Sequence, residues 1–347
     1  MKNFRRVVWV LSLGASVSCG TAFAAAGDDA GPLPKLRIDP SRVAVAGISA
    51  GAYMAGQAQI AYPELFRGAA LVAGGPYDCA QGNLAAAVTT CMKGVPAPDV
   101  AALVKLAQAR AAKGEVGPLE KLAGQKVYIL HGRQDPVIAE SVAHAAADFY
   151  DALKKTVPAL STLTVTWDGG HDFSHTFPTD AAGGACDKVA APFVGHCGFD
   201  AAGALFKALY GAPAHKAIDE AKGELRGFDQ NALRPDGADA YLADKGMLYV
   251  PPACAKGGRC GVLVALHGCQ QNLDAVGDAF VREAGLNRWA DAYGVVVLYP
   301  QVRSGVASNP KSCWDWFGYS GANYATREGV QLRWLRNALA ALGRADR

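Results

Sequence analysis

A serine stands in a glycine-rich turn near the start of this 347-residue chain, in the stretch "GISAG" at residues 47–51. Small residues two positions before and after a serine let a strand and the following helix approach closely, which exposes the hydroxyl at the turn. The next backbone N–H, that of Ala50, then lies where an oxyanion develops during attack. We therefore predict that Ser49 is a nucleophile. Other glycine-rich strand-to-helix turns, including phosphate-binding turns, give the same pattern.

A serine nucleophile needs a base, and the base needs a group that orients it. The strand-like run "VYIL" at 127–130 is followed by Asp135, which we predict to be the acid. Asp135 also fits a helix N-cap before Pro136, and the two roles are compatible. The run ending at Trp167 passes through two glycines to His171, the predicted base, with His175 as the alternative. The order Ser49, Asp135, His171 is that of α/β-hydrolase triads.

The second oxyanion donor usually comes from a loop that precedes the nucleophile, often after an HG pair. Here that pair follows it, because "LVALHGCQQN" occupies residues 263–272. A further strand and a C-terminal helix come next, and in the usual order that helix would lead into the strand before Ser49. The pieces are therefore present but cyclically shifted. Such a shift is physically tolerable because chain ends in compact domains lie at the surface and often close together.

Around these motifs, apolar runs of strand length alternate with helix-length segments, which favours βαβ units. Because 51% of the residues are hydrophobic and 19% charged, a sizeable core is expected. We predict an α/β protein with a circularly permuted α/β-hydrolase fold, whose mostly parallel central sheet is flanked by helices. Residues 25–347 form one catalytic domain, with an insertion or cap around 181–245. The predicted strands are 42–47, 66–73, 126–130, 163–167, 261–266 and 295–299, and the predicted helices 52–62, 97–113, 136–156, 201–210, 280–293 and 324–342.

Residues 1–24 have the composition of a secretion signal peptide. Three basic residues precede the apolar stretch 7–20, and "AFA" at 22–24 is a small-x-small cleavage site. The stretch is too short to span a bilayer comfortably, and Cys19 leaves a lipoprotein as an alternative. Removing the signal takes away three basic and no acidic residues, which leaves 31 of each. No basic field then attracts nucleic acid, and a neutral or apolar substrate is favoured.

Eight cysteines remain after Cys19, and an even number in an exported chain indicates disulfides. Many pairings are open. Short spacings along the chain favour three pairs, and the two cysteines that remain make the fourth. The suggested pairs are Cys79 with Cys91, Cys186 with Cys197, Cys254 with Cys260, and Cys269 with Cys313. The chain has no CxxC pair and no HExxH-like spacing, so no metal site is predicted.

Five segments together resemble the secreted poly(3-hydroxybutyrate) depolymerases, in particular their circularly permuted single-domain type. They are "GISAGAYMAGQ", "LHGRQDPVI", "GGHDFSHTF", "LVALHGCQQN" and "SCWDWFGY", and the likeness extends over about residues 33–342. The HGC and CWDWF segments also resemble feruloyl and acetylxylan esterases, which keep the unpermuted order. The resemblance implies Ser49 as nucleophile, Asp135 as acid and His171 as base, with the backbone N–H groups of Ala50 and Cys269 as oxyanion donors.

The resemblance also implies that a bridge from Cys269 to Cys313 pins the oxyanion loop to a tryptophan loop and so preorganises the amide. Trp314, Trp316 and His267 are then expected to bind substrate, although one of the two tryptophans fits an ordinary core position equally well. Many members of the family carry a separate polymer-binding domain. Without one, we expect poor binding to crystalline polymer unless an exposed apolar patch supplies it.

The resemblance therefore implies a secreted serine esterase, extracellular or periplasmic, that hydrolyses poly(3-hydroxybutyrate) or its oligomers through an acyl-enzyme. We expect no metal or organic cofactor, no nucleic acid partner, no integral membrane association and a monomeric state. One alternative is a carbohydrate esterase of the feruloyl or acetylxylan type. Another is a non-catalytic secreted binding protein on a hydrolase scaffold, against which the complete Ser/Asp/His set argues.

Overall fold

The computed structural model describes Met1 and residues 30–213, 216 and 219–344. The predicted signal peptide, with Cys19, lies outside the described residues apart from Met1. The strands of the described part are β1 Ile38–Ile48, β2 Gly68–Val72, β3 Lys126–Gly132, β4 Thr164–His171, β5 Phe177–Thr179, β6 Gly184–Ala185, β7 Val194–His196, β8 Glu224–Asp229, β9 Lys245–Val250, β10 Cys260–Leu266 and β11 Val295–Tyr299. Eight of them form one sheet in the order β4-β3-β2-β1-β10-β11-β9-β8.

Helices cover both faces of this sheet. They are α1 Ala50–Ala61, α2 Leu84–Val88, α3 Thr90–Lys93, α4 Val100–Ala112, α5 Glu140–Thr156, α6 Ala201–Tyr210, α7 Pro252–Ala255, α8 Leu273–Val276, α9 Ala279–Glu283, α10 Leu286–Tyr293 and α11 Val330–Ala341. Asp99 and Asp200 cap α4 and α6 by accepting hydrogen bonds from amides in the first turn. None of the helices in the described ranges is long and apolar enough to cross a membrane.

The sheet is mostly parallel, as expected. Strands β4, β3, β2, β1, β10 and β11 pair in parallel, whereas β9 pairs antiparallel with β11 and β8 antiparallel with β9. The two antiparallel strands were not predicted. The edge strand β8 has the sequence ELRGFD with only one fully buried residue, Phe228, so it lacks the apolar run of a central strand.

The central strand β1 is buried on both faces. Val43 and Val45 pack into the core on one side of the sheet, and Ala44 and Ala46 pack into the core on the other. Side chains of a strand alternate between faces, so the apolar run before Ser49 serves two cores at once. This double burial holds the end of β1 rigidly in the middle of the sheet.

The cyclic shift of the motifs is visible in the position of β1. This strand lies between β2 and β10, with Ala46 opposite Ala70 on one side and Ala265 on the other. The residue after α11, Leu342, accepts a hydrogen bond at 2.8 Å from the amide of Leu36, just before β1. The end of α11 therefore lies at the point where an unpermuted chain would enter β1.

The segment 181–245, expected as one insertion or cap, does not form a single unit. Strands β6 and β7 join β5 in a small three-stranded sheet. Helix α6 is instead part of the layer over one face of the main sheet, with Leu205 and Phe206 fully buried there. Strand β8 belongs to the main sheet itself. Only the small sheet and its loops stand apart, because the apolar face of α6 needs the sheet for burial.

Four disulfides join the eight cysteines of the described chain. The bridges are Cys79–Cys91, Cys186–Cys197, Cys254–Cys260 and Cys269–Cys313. These are the pairs suggested by the spacing. Three of them close short loops, and the fourth joins the loop after β10 to the segment that contains the two tryptophans. Such a set of bridges is typical of proteins from oxidising compartments.

Candidate active site

Ser49 occupies the sharp turn between β1 and α1. Its backbone angles are φ 56° and ψ −122°, a region that a residue with a side chain adopts at a cost. The surrounding structure holds it there, because the Ser49 amide donates to the Val72 carbonyl of β2 and its carbonyl accepts from the first turn of α1. The side chain is half-buried and lines a cavity.

The glycines on either side of Ser49 are required by close packing. A Cβ on Gly47 would lie 2.3 Å from the backbone of Gly51. A Cβ on Gly51 would lie 2.3 Å from the carbonyl oxygen of Leu266, at the end of β10. Small residues at these positions therefore allow the Ser49 turn and the end of β10 to meet, as the GISAG pattern predicted.

Asp135 and His175 form a hydrogen-bonded pair beside Ser49. The Asp135 Oδ2 lies 2.8 Å from the His175 Nδ1, and the Asp135 side chain is completely buried. Burial alone would raise the pKa of Asp135. Hydrogen bonds from His175 and from the Val137 and Ile138 amides outweigh it, so the pKa lies below the usual value. Asp135 is thus a buried carboxylate whose charged form is favoured, and His175 lines the same cavity as Ser49.

The predicted base His171 is not in this arrangement, so that prediction is corrected. Its Nε2 lies 2.8 Å from Asp168 Oδ1, and its ring lies 3.8 Å from that of Phe199. The physical reason is that β4 continues through the two glycines, since Gly132 of β3 still pairs with His171. The loop that can turn toward Asp135 begins only after His171, which brings the alternative histidine, His175, to the site.

The two backbone amides expected to bind an oxyanion both border the cavity. Ala50 is the first residue of α1, where an amide has no partner within the helix. Cys269 follows Gly268 in the loop after β10, and among the described residues its amide has no hydrogen-bond partner. A Cβ on Gly268 would lie 3.4 Å from the Ser49 Cβ. The β10 loop therefore passes directly beside the serine.

His267 does not have the position expected of a substrate-binding residue. It is fully buried and is absent from the described residues that line the cavity. Its Nδ1 lies 2.7 Å from the Gly268 carbonyl oxygen, and its Nε2 accepts from the Val302 amide at 3.1 Å. The imidazole therefore contacts the backbone beneath the site rather than the space above it.

The two tryptophans have different positions, as the alternative of one core tryptophan allowed. Trp316 lines the cavity and stacks on Tyr53, with ring centroids 4.5 Å apart. Trp314 is fully buried and packs near His267, with centroids 5.5 Å apart. Trp314 is therefore a core residue, and its expected role in substrate binding is not supported. In a CWDWF segment the two indoles are two residues apart, and their burial depends on the tertiary packing.

The cavity has a volume of about 420 Å³ and a predominantly apolar wall. Ser49 and His175 both line it. The apolar wall is formed by Ile48, Tyr53, Leu84, Val88, Met92, Val137, Ile138, Val189, Phe193, Trp316 and Phe317, and the polar part by Gln270, Gln271, Ser308, Asn309 and Lys311. Such a lining, with few polar groups near a reactive pair, suits a largely apolar ligand.

Sequence reasoning missed two contributors to this site. Tyr53 donates its hydroxyl hydrogen to the Cys91 carbonyl and supports Trp316. Gln271 accepts from the Gly268 amide and donates to the Pro192 and Phe193 carbonyls, so it ties the β10 loop to the opposite wall. Gln271 stands two residues after Cys269 in "HGCQQN", but nothing in a single sequence separates its role from that of Gln270.

Comparison with known proteins places these features in a family. A family model described as "Esterase PHB depolymerase" matches residues 245–346, and one described as "Prolyl oligopeptidase family" matches residues 33–181. The poly(3-hydroxybutyrate) depolymerase of Delftia acidovorans is 38% identical over 304 residues, which is 86% of this chain and 59% of that protein. The chain thus spans less than two thirds of that relative. The polyhydroxybutyrate depolymerase of Talaromyces funiculosus is 32% identical over 345 residues, 94% of each chain.

Solved structures agree with these matches. The crystal structure of PHB depolymerase from Penicillium funiculosum superposes with a TM-score of 0.77 at 29% identity, covering 90% of this chain and 98% of that one. A PHB depolymerase variant complexed with R3HB trimer matches to the same extent. Since the relative from Talaromyces is matched along almost its whole length, this chain, with its α/β-hydrolase fold, belongs to the polyhydroxybutyrate depolymerase family.

Proposed function

We propose that this chain is a serine esterase that hydrolyses poly(3-hydroxybutyrate) or its oligomers through an acyl-enzyme. One observation carries the proposal. The buried Asp135–His175 pair opens onto the same cavity as Ser49, which stands in a strained turn. This juxtaposition supports Ser49 as nucleophile, His175 as base and Asp135 as the group that orients the base, the set that nucleophilic catalysis by serine requires.

In the first half of the reaction, Ser49 Oγ attacks the ester carbonyl while His175 Nε2 takes the hydroxyl proton. Asp135 accepts a hydrogen bond from His175 Nδ1 and stabilises the imidazolium that forms. The negative charge on the former carbonyl oxygen is stabilised by the Ala50 and Cys269 amides. The carbon–oxygen bond of the ester then breaks, and the alcohol leaves with the proton from His175.

In the second half, water attacks the acyl group on Ser49 and gives its proton to His175. The same two amides stabilise the second oxyanion. Collapse of that intermediate breaks the bond to Ser49, whose oxygen recovers the proton, and releases the acid. Every proton in this sequence passes through one histidine, so no metal or organic cofactor has a step to perform.

The character of the cavity supports a hydroxyalkanoate polyester as substrate. Its wall is apolar, and three side chains at its mouth remain in solvent, since Leu84, Val88 and Val189 are 60%, 47% and 42% exposed. We call these three residues the apolar rim. A neutral polyester with short aliphatic branches suits such a surface better than a charged substrate does. The names of the relatives, and the R3HB trimer in the matching complex, agree with this class of substrate.

The decisive experiment is the replacement Ser49→Ala. We expect turnover of a hydroxybutyrate trimer to fall by at least about a thousandfold with unchanged circular dichroism, and labelling by a fluorophosphonate probe to disappear. Undiminished ester hydrolysis by a folded Ser49→Ala protein would rule out the proposal. Absence of labelling in the wild type would favour a non-catalytic binding protein.

Parallel assays separate the substrate classes. Rates would be compared on emulsified amorphous and crystalline polyhydroxybutyrate, on the trimer and on feruloyl and acetyl esters, with analysis of the products. Faster turnover of the sugar-linked esters would replace the polyester assignment with a carbohydrate esterase.

We further propose that residues 1–24 direct secretion to the periplasm or the medium, and that residues 25–347 act as one monomeric catalytic domain.

A further inference from the structure

One wall of the cavity has a strained backbone. Phe193 lines the cavity and has φ 57°, a left-handed conformation that a residue with a large side chain rarely adopts. Such conformations persist only where the surroundings enforce them, and they cluster at active sites. The reaction at Ser49 gives Phe193 no role, so the strain at this residue calls for another explanation.

Hydrogen bonds from two loops of the site hold the Phe193 backbone. Its carbonyl oxygen accepts from the Phe177 amide at 2.8 Å and from Gln271 Nε2 at 3.0 Å. Phe177 follows the proposed base, His175, by two residues. Gln271 belongs to the β10 loop, where its Oε1 accepts from the Gly268 amide at 2.8 Å. One oxygen of Phe193 therefore joins the loop of the base to the loop that passes beside the serine.

The chain on both sides of Phe193 is fixed as well. The Phe193 amide donates to the Ala190 carbonyl at 2.8 Å. The next residue, Val194, is buried and pairs with β5 in the small three-stranded sheet. A disulfide between Cys186 and Cys197 closes this segment. The backbone therefore has little freedom to move the ring aside when a larger group enters the cavity.

The bond from Gln271 also brings this wall near the serine. A Cβ on Gly268, the residue that Gln271 accepts from, would lie 3.4 Å from the Ser49 Cβ. The Gln271 side chain thus spans from the peptide beside Ser49 to the Phe193 backbone, and the Phe193 side chain lines the same cavity as Ser49. A substituent next to the reacting ester carbonyl therefore shares the cavity with this ring.

We propose that Phe193 determines which polyesters the cavity accepts: its ring, fixed between the loop of the base and the β10 loop, leaves room for a methyl branch beside the reacting ester and excludes longer branches. This inference rests on the proposed function and deepens it, because it narrows the substrate class to hydroxyalkanoates with short branches. A well-packed apolar wall resists additional methylenes, and a wall held by both loops cannot yield by rotating its backbone.

Two replacements separate the ring from the strained backbone. Phe193→Ala removes the ring and keeps a Cβ at a positive φ, whereas Phe193→Gly removes the ring and relieves the strain. Phe199→Ala and Phe199→Gly are the matched controls. Phe199 is likewise half-buried and follows the same disulfide-closed segment, but it is not among the described residues that line the cavity, and its φ is not positive.

The first measurement is the ratio of kcat/KM for a 3-hydroxybutyrate trimer to kcat/KM for a 3-hydroxyhexanoate trimer, whose branches are longer by two methylenes. A single methylene in an apolar pocket typically changes such a ratio by about 10- to 200-fold. We expect the wild type to prefer the butyrate trimer by at least about 100-fold, and both Phe193 variants to lower that preference by at least about tenfold. The two Phe199 variants should keep the preference within about twofold.

The second measurement is Tm, which reports on the strain. Phe193→Gly should melt about 1–3 °C above Phe193→Ala, since glycine adopts a positive φ without steric cost. At position 199 the order should be reversed, because glycine there only adds freedom to the unfolded chain. A purely structural role of the Phe193 ring would lower Tm and leave the preference between the trimers unchanged.

An unchanged preference in a folded Phe193→Ala protein would overturn the inference, as would a wild type that hydrolyses both trimers equally well. A Phe193→Gly protein that melts below Phe193→Ala would contradict the strained backbone and with it the fixed position of the ring. If neither variant folds, Phe193→Leu retains an apolar side chain without the ring and should lower the preference by at least about threefold. A folded leucine variant with wild-type preference then overturns the inference.

Fluorophosphonate labelling of the wild type separates this inference from the proposed function. If Ser49 is not labelled, or if neither trimer is hydrolysed, the proposed function fails and the role of Phe193 fails with it. If Ser49 is labelled and the butyrate trimer is hydrolysed, an unchanged preference in the Phe193 variants rejects only the role of Phe193, and the proposed function stands.

Discussion

Two histidines within one short segment each have an aspartate partner, but only one of them, His175, lines the cavity that Ser49 lines. His175 is 9% exposed, lines the cavity and is bonded to the buried Asp135. His171 is 31% exposed, and its partner Asp168 is shared with the hydroxyl of Tyr128. A carboxylate that keeps its charge in a buried place stabilises an imidazolium strongly, whereas a solvated pair is screened. Asp135 and His175 therefore form the pair suited to proton transfer.

Alanine replacements of the two histidines give a matched test. We expect His175→Ala to lower kcat by at least about a thousandfold, because the serine loses its base. His171→Ala removes a half-exposed pair and should leave kcat within about threefold. The measurement is steady-state hydrolysis of p-nitrophenyl butyrate, with circular dichroism to verify folding. The reverse ranking of the two variants would return the role of base to His171.

Sequence reasoning selected Ser49, Asp135 and the loop of Cys269 because each directly follows a strand that its apolar run makes recognisable, and the structure brings the serine and that loop to one cavity. It chose the wrong histidine of "GGHDFSH" because paired glycines after an apolar run usually indicate a turn. Here β4 continues past Gly169 and Gly170 with a shift of register, and it pairs with β3 again at His171. Whether glycines turn or extend depends on the neighbouring strand, and a single sequence does not contain that information.

At the scale of elements, the segment closed by Cys79–Cys91 forms one wall of the cavity. It contains α2, whose Leu84 and Val88 are four residues apart and thus lie on one helix face. The segment is anchored by Asp78, whose completely buried carboxylate lies 2.7 Å from the Arg110 guanidinium of α4. Asp78 also accepts a hydrogen bond from the Tyr324 hydroxyl. One buried charge pair thus holds the cavity wall against the rest of the molecule.

Removing one partner of this ion pair should destabilise the folded protein more than removing both partners. Arg110→Met leaves the Asp78 charge buried and without its ion-pair partner, which typically costs about 3–5 kcal/mol. We expect a lower Tm and a higher KM for the trimer, because the wall loses its anchor. Adding Asp78→Asn removes the buried charge and should restore part of the Tm. Thermal melts of the single and double variants measure this, and an additive loss in the double variant would contradict it.

The strands and helices next to the predicted site residues could be predicted from the sequence, whereas the strands toward the β8 edge of the sheet could not. Strand β11 has the predicted bounds, Val295–Tyr299, because a run of five apolar residues between turn signals has few alternatives. The antiparallel strand β8 escaped notice because it lies at the sheet edge, where burial is incomplete and the pattern is weak. The supposed insertion at 181–245 was an effect of the same weak signal.

At the scale of the whole molecule, the cyclic shift of the motifs and the continuous sheet are two aspects of one arrangement. The sequence predicts the shift, because the HG strand follows the serine strand in the chain. The structure adds that β10 and β1 are nonetheless hydrogen-bonded neighbours. The β10 loop and the turn at Ser49 meet at the carboxyl edge of adjacent parallel strands, where ligands of α/β sheets bind. Spatial adjacency, rather than order along the chain, is what the chemistry requires.

The exposed side chains around the mouth of the cavity could not be predicted, because exposure is a property of the folded surface. Leu84, Val88 and Val189 leave an apolar edge in solvent next to the reactive groups. Exposed apolar side chains grouped at one place commonly mark an interaction surface. Under the proposed function, this edge offers a contact for a polyester chain beside the cavity.

We therefore expect polar substitutions in the apolar rim to weaken action on solid polymer more than action on a soluble ester. In the variant Leu84→Ser/Val189→Ser, adsorption to amorphous granules should fall by about tenfold or more, because each buried aliphatic side chain contributes roughly 1.5–3 kcal/mol. Val95→Ser is the matched control, since Val95 is 69% exposed but does not line the cavity. Sedimentation of granules measures adsorption, and p-nitrophenyl butyrate reports on the soluble reaction.

Equal losses of activity on granules and on the soluble ester would mean that the rim acts only as part of the cavity wall. Equal weakening of adsorption by Val95→Ser would mean that contact with polymer is spread over the surface rather than concentrated at the active-site mouth.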